Sequence, residues 1–184
     1  MNLDERRVNV TGLVHIYTGN GKGKTTAAIG LGIRACGNGL KVIMVQFLKG
    51  SPTGELAILK KLEPDFKVYR NSEIKGFFWN MNREQKEKLS RFTDETLNYV
   101  MNKVSTEEWD LLILDEVMGA ISNHLISVRD IVKFIQNKPE KLEIVLTGRH
   151  APQELVDIVD YVSEINPAKH PLEMGIAARR GIEF

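Results

Sequence analysis

Thr18-Gly19-Asn20-Gly21-Lys22-Gly23-Lys24-Thr25 is the segment of this chain whose residue types and spacing point most directly to chemistry. Its glycines free the backbone to turn N–H groups inward around anionic oxygens. The general phosphate-loop pattern is G-x-x-x-x-G-K-[ST]. Gly23, Lys24 and Thr25 satisfy its end, whereas Thr18 stands at its first glycine position and glycine comes one residue later. In such a loop Lys24 supplies a full charge to a triphosphate, the Thr25 hydroxyl can ligate Mg²⁺, and the helix that follows adds partial positive charge at its start. Lys22 and Arg34 are further cations nearby; for each, a solvated surface position is as good an expectation as a phosphate contact.

The second chemical feature is Leu111-Leu112-Ile113-Leu114-Asp115-Glu116, an apolar run ending in two acids. In phosphate-loop proteins such a strand is expected beside the first one, with its acid reaching Mg²⁺ directly or through water. Neighbouring residues of a strand point to opposite faces. Asp115 and Glu116 are therefore expected to work differently, one near the metal and one near the nucleotide or a helix end. A simple capping pair is the alternative.

Other residues carry weaker signals. His15, His124, His150 and His170 lack metal-ligand spacing; His15 reads as a satisfied core residue and His124 as surface. Cys36 has no base near it in sequence, which argues against a nucleophile. Gly76-Phe77-Phe78-Trp79 reads from spacing as a core plug under a loop. Arg149, after another strand-like run, faces the site or pairs with a surface acid.

These residues need elements to position them. Apolar runs over 13–17, 41–48, 66–69, 111–114, 142–146 and 161–165 read as strands, the last of them a core strand. Helical patterns lie between them. One opens at Thr25 and stops at Gly37-Asn38-Gly39. A long one is capped by Asn82, with Gln85 placed for a capping box, and carries Leu89, Phe92, Thr96, Leu97, Val100, Met101 and Val104 at helical spacing. Shorter ones cover 128–136 and 153–159. Strand and helix in alternation predict an α/β fold, a mostly parallel sheet with helices on both faces. Ligands of such sheets bind beyond the carboxyl ends of the strands, where both motifs fall.

The bulk properties set bounds. A chain of 184 residues suits a single domain over 1–184, with residues 1–10 a short leading segment. A net charge of +1, with no basic run interleaved with aromatics, gives no expectation of nucleic-acid or anionic-membrane binding. The single cysteine fits a reducing cytosol, the polar start lacks a signal-peptide core, and no apolar run approaches the roughly 18 residues of a membrane helix. The expected location is the cytoplasm.

Taken in order, Thr18 to Ala28, Val45-Gln46-Phe47-Leu48-Lys49-Gly50, Gly76-Phe77-Phe78-Trp79, Leu114-Asp115-Glu116, Thr147-Gly148-Arg149, Lys169-His170 and the stretch Gly175 to Phe184 resemble the ATP:corrinoid adenosyltransferases of the CobA/BtuR type. The resemblance runs from about residue 10 to the C-terminus and implies a phosphate-loop, RecA-like fold. It also implies a transferase in adenosylcobalamin synthesis or salvage, in which cobalt(I) of cob(I)alamin or another corrinoid attacks the 5′ carbon of ATP and triphosphate leaves. ATP would lie reversed in the loop relative to ordinary NTPases, so that the loop grips the leaving group.

By the same resemblance, Gly19, Asn20, Gly21, Lys22, Gly23, Lys24, Thr25 and Thr26 hold the triphosphate, with Arg34 also on phosphate. Thr25, Glu116 and Asp115 serve Mg²⁺. Phe77 and Trp79 form an apolar wall under the corrin that keeps an axial ligand off cobalt(II) and so eases its reduction. A homodimer and a flavoprotein reductant are implied as well. Some members carry a longer N-terminal extension that folds over the site, so closure is expected to differ in this chain. The rival readings are an ATPase or kinase of the same fold and a non-catalytic, ATP-responsive binding module.

Overall fold

The computed structural model describes residues 11–50, 53–70 and 78–183. Six strands form one parallel sheet: β1 (Val14–Thr18), β2 (Val42–Gln46), β3 (Phe66–Arg70), β4 (Leu111–Asp115), β5 (Glu143–Thr147) and β6 (Tyr161–Glu164). Their order is β3-β2-β4-β5-β1-β6. The helices are α1 (Lys24–Gly37), α2 (Glu55–Leu59), α3 (Arg83–Thr106), α4 (Val117–Ser122), α5 (Val128–Gln136) and α6 (Gln153–Val156).

The central strands β2, β4 and β5 are covered on both faces, and the two-residue period of the strands sorts the core. Val14, Ile16, Ile43, Val45, Leu112, Leu114, Ile144 and Leu146 pack on the side of α3, α4, α5 and α6. Val42, Met44, Leu111, Ile113 and Val145 pack on the opposite side with Ala28, Ile29 and Ala35 of α1 and Leu59 of α2. The continuous apolar runs of β2, β4 and β5 thus follow from burial on both faces. The long helix begins as its sequence predicts: the Asn82 side chain accepts from Gln85 N at 2.9 Å while Gln85 Oε1 accepts from Asn82 N at 2.9 Å. Along that helix Thr93 is buried where Phe92 is only half-buried, a one-residue turn of the expected stripe.

Four expectations are corrected. The acid-bearing strand β4 does not sit beside β1, because β5 lies between them, pairing Leu146 with Ile16 on one side and with Leu114 on the other. The strand near 161–165 exists, but it is an edge strand and all four of its residues are exposed, so it is not a core strand. The helix expected over 153–159 stops at Val156. Past it, Asp160 is drawn to β1: its carboxylate accepts from Val14 N at 2.8 Å and its own N–H donates to Val14 O at 3.0 Å. The β2 strand ends at Gln46 rather than Leu48, because Leu48 takes a left-handed backbone with φ 56°. The leading segment 1–10 lies outside the described residues.

Candidate active site

A parallel sheet delivers the carboxyl ends of all its strands to one edge, and the chemical residues collect there. The turn after β1 is the loop expected to hold phosphate. Gly19 has φ 99°, and a side chain on it would drive a Cβ to 2.4 Å from the Ile165 carbonyl oxygen. That same carbonyl accepts from Gly21 N at 2.7 Å, so the exit of the edge strand braces the loop. Gly23, with φ 121°, opens α1. This helix has no side-chain cap and no acid in its first turn. Its leading N–H groups therefore receive no acidic side chain, the arrangement of a helix N-terminus that binds anions.

Lys24 is 7% exposed. Its ammonium donates to Gly19 O and to Gly21 O, each at 2.8 Å, which uses two of its three N–H groups and leaves one for an anion. Burial lowers its pKa from the ordinary lysine value, with Arg149 acting in the same direction and Glu116 and Asp115 opposing. A cation kept under-solvated in this way gains more from an incoming phosphate than a surface lysine does.

The β4 end brings the two acids to different places, though not by strand alternation: β4 stops at Asp115 and Glu116 turns out of it into α4. Asp115 is fully buried. Its Oδ1 accepts from Thr25 Oγ1 at 2.8 Å and from Thr147 Oγ1 at 2.7 Å, and its Oδ2 accepts from Lys49 Nζ at 2.6 Å. Glu116 caps α4 in a left-handed conformation with φ 60°, its N–H donating to Thr147 Oγ1 at 2.9 Å. A non-glycine residue held there costs on the order of 1–3 kcal/mol, the kind of strain that clusters at functional sites. Burial raises the Glu116 pKa, helped by Asp115 and opposed by Lys49, Lys24 and Arg149.

These residues border a cavity of about 760 Å³, lined by Asn20 to Thr26 on one side and by Lys49, Glu116, Arg149, His170 and Glu183 on others. Glu183 comes back from the C-terminal stretch to lie 3.7 Å from the Lys22 ammonium. Among the described residues no group of three or more His, Cys, Asp or Glu side chains could hold a metal by itself. Thr25, Asp115 and Glu116 are nonetheless hard oxygen donors, which suits a Mg²⁺ ion that takes the rest of its shell from phosphates and water.

Several sequence expectations can now be placed. Gly19 through Thr26 are together at the loop. Arg149 faces the cavity, which decides between its two readings. Arg34 does not line the cavity; it lies in the last turn of α1, about 15 Å along the helix from Lys24 at 1.5 Å per residue. Trp79 is 72% exposed, so the core-plug reading fails for it; half-buried Phe78 packs against the core instead. Phe77 lies outside the described residues. His15 is satisfied as expected, its Nε2 2.5 Å from Glu143 Oε1 and its ring stacked on Tyr161, and His124 is exposed. Lys49, Gln46 and Thr147 are additional site residues. Gln46 and Thr147 are the last residues of β2 and β5 and Lys49 follows β2, and all three fall in segments that carry the family resemblance without a role attached to them.

Residues 10–184 match the family described as ATP:corrinoid adenosyltransferase BtuR/CobO/CobP. The chain belongs to this family of corrinoid adenosyltransferases. It is 33% identical to the corrinoid adenosyltransferase of Escherichia coli K12 over 175 residues, covering 94% of this chain and 86% of the relative. It is 30% identical to the corrinoid adenosyltransferase CobA of Salmonella typhimurium, with 94% and 86% covered, and 30% identical to that of Pseudomonas aeruginosa, with 94% and 84% covered. The adenosyltransferase match spans both the loop and the acidic strand end, so every residue bordering the cavity lies inside it.

Proposed function

We propose that this corrinoid adenosyltransferase works by holding the triphosphate of ATP as a leaving group in the loop 19–26, while cobalt(I) of a corrinoid attacks the 5′ carbon. The cobalt–carbon bond forms as the carbon–oxygen bond breaks, and the electron pair departs with triphosphate. Negative charge grows on the leaving oxygens. The third Lys24 N–H and the first-turn N–H groups of α1 would meet it, with Lys22 and Arg149 adding positive charge beside them. A Mg²⁺ ion held by Thr25, Glu116 and Asp115 would supply further charge to the triphosphate and order it. Asp115, through Thr25 and Thr147, sets the hydroxyl and the Glu116 backbone in register.

One observation carries the reading: a single cavity brings the loop lysine and the strand-end acid together inside the region that matches the family. Exposed Trp79 is proposed with Phe77 as the apolar wall under the corrin. That assignment, the homodimer, the flavoprotein electron donor, the cytoplasmic location and the single-domain organisation over 1–184 rest on the resemblance and composition set out above. Among the described residues no helix is long and apolar enough to cross a membrane.

The test is a product assay with ATP, Mg²⁺, a corrinoid and a strong reductant. Triphosphate and an adenosylated corrinoid are the expected products. Diphosphate or phosphate released without corrinoid would turn the reading to a hydrolase or kinase. ATP binding without turnover would turn it to a binding module.

A further inference from the structure

Lys49 is the residue of the site that neither the phosphate-loop pattern nor the acidic strand end accounts for. Its ammonium lies 2.9 Å from Thr25 Oγ1 and 2.6 Å from Asp115 Oδ2, and so bridges the hydroxyl and one of the carboxylates proposed for Mg²⁺. The backbone around it is built to put it there. Phe47 N donates to Asp115 O at 2.9 Å, Leu48 turns through a left-handed conformation, and Arg70 Nη2 donates to Lys49 O at 2.9 Å. The lysine side chain is 23% exposed and the carboxylate it meets is fully covered.

We propose that Lys49 is the internal counter-ion of the divalent-metal position: its ammonium must leave Thr25 and Asp115 before a metal ion can bind there, which makes metal binding conditional on the nucleotide. The inference rests on the metal position proposed above. Mg²⁺ bonds oxygens at about 2.0–2.1 Å, so an ammonium on the same two oxygens would lie within a few ångströms of a dication, with little water between them. Both cations cannot be held at once. Without nucleotide, Lys49 neutralises Asp115 and the metal is refused. With ATP present, the triphosphate supplies negative charge that both draws the ammonium off the pair and completes the metal's shell. Lys49 borders the same cavity, so the released ammonium stays beside the triphosphate rather than in solvent. Lys49 is thus a positioning residue for the metal–nucleotide pair, and it couples their binding.

The experiment measures Mn²⁺ binding by electron paramagnetic resonance on the whole chain, with and without ATP and with no corrinoid. Wild type is expected to bind Mn²⁺ weakly alone and much more tightly with ATP. Lys49→Met is expected to raise nucleotide-free Mn²⁺ affinity tenfold or more and to shrink the gain brought by ATP. Lys49→Gln, which keeps an amide donor for Asp115, is expected to do the same if the methionine variant folds poorly. Adding Asp115→Asn to Lys49→Met removes both charges of the pair and is expected to abolish the rise in nucleotide-free Mn²⁺ affinity. Unchanged or weaker nucleotide-free affinity in the folded Met and Gln variants overturns the proposal, as does a rise in nucleotide-free affinity that survives Asp115→Asn. Failure of wild type to bind Mn²⁺ even with ATP would instead remove the metal position itself, and the inference with it. The product assay is scored separately from all of these outcomes.

Discussion

Charged side chains are gathered at both ends of the sheet, and the two ends use them in opposite ways. At the amino ends of the strands each charge meets fixed backbone. Lys138 donates to Gly12 O at 2.5 Å and to Leu142 O at 2.9 Å. Asp110 accepts from Lys41 N at 2.8 Å, and Glu143 accepts from Leu13 N at 2.6 Å and pairs with His15. Burial alone would raise the Glu143 pKa, but the His15 and Leu13 hydrogen bonds outweigh it and hold the carboxyl below its usual value. At the carboxyl ends, Lys22, Lys24, Lys49 and Arg149 face Glu116 and Glu183 around an open cavity. The first arrangement stitches neighbouring strands together. The second keeps charge available for a ligand, and its cost shows in the raised pKa of Glu116 and in its left-handed backbone, whereas burial lowers the lysine pKa at both ends, at Lys138 as at Lys24.

The comparison is broken most directly at Lys24. Lys24→Ala should lower turnover about a hundredfold or more, about 3 kcal/mol of transition-state stabilisation, in a protein that still folds. Steady-state kinetics beside a thermal melt measures both. Near wild-type turnover in a folded variant would take the loop out of the mechanism.

Lys138→Met is the matching cut at the opposite end. It leaves the Gly12 and Leu142 carbonyls without their charged donor, and stability should fall by about 1–2 kcal/mol with turnover unchanged below the melting range. Denaturant unfolding reads the first and the product assay the second. A loss of turnover without a loss of stability would erase the division between the two ends.

Glu116→Gln sharpens the picture within the carboxyl end. An amide supplies less charge to Mg²⁺ or its waters, so the Mg²⁺ concentration for half-maximal rate should rise about fivefold, about 1 kcal/mol. An unaltered Mg²⁺ titration would leave Glu116 as the cap of α4 and nothing more.

The smallest effect on stability belongs to Trp79. At 72% exposure, Trp79→Ala should shift stability by no more than about 0.5 kcal/mol. Activity starting from cobalt(II) corrinoid should drop, while activity on pre-reduced cobalt(I) largely persists. Trp79→His should do likewise by offering cobalt a nitrogen ligand. A variant that melts early and fails equally on both substrates would sink the wall.

Much of this was legible before any fold was known, because it rests on local physics. The loop must be flexible at Gly19 and Gly23, must carry its cation at Lys24 and must open a helix; those requirements are contiguous in the chain. The capping box of Asn82 and Gln85 spans four residues, and the doubly buried strands announce themselves as unbroken apolar runs. Strand alternation predicts different fates for Asp115 and Glu116, but they arise because β4 ends at Asp115 and Glu116 turns left-handed into α4.

Contacts between distant segments were decided by tertiary structure. Nothing near β4 in sequence says that β5 separates it from β1, because strand order depends on where each crossover helix packs. The exposure of β6 and of Trp79 could not be read from their apolar residues, since hydrophobicity records a preference and not which neighbours arrive to cover it. Arg34 looked close to the loop along the chain and proved distant because a helix spends 1.5 Å on every residue. Lys49 is the clearest case. Its segment carries the family resemblance, but no role attaches to this lysine there. Its role arises where the first turn of α1 meets the ends of β2 and β4, and only the fold brings its ammonium between Thr25 and Asp115.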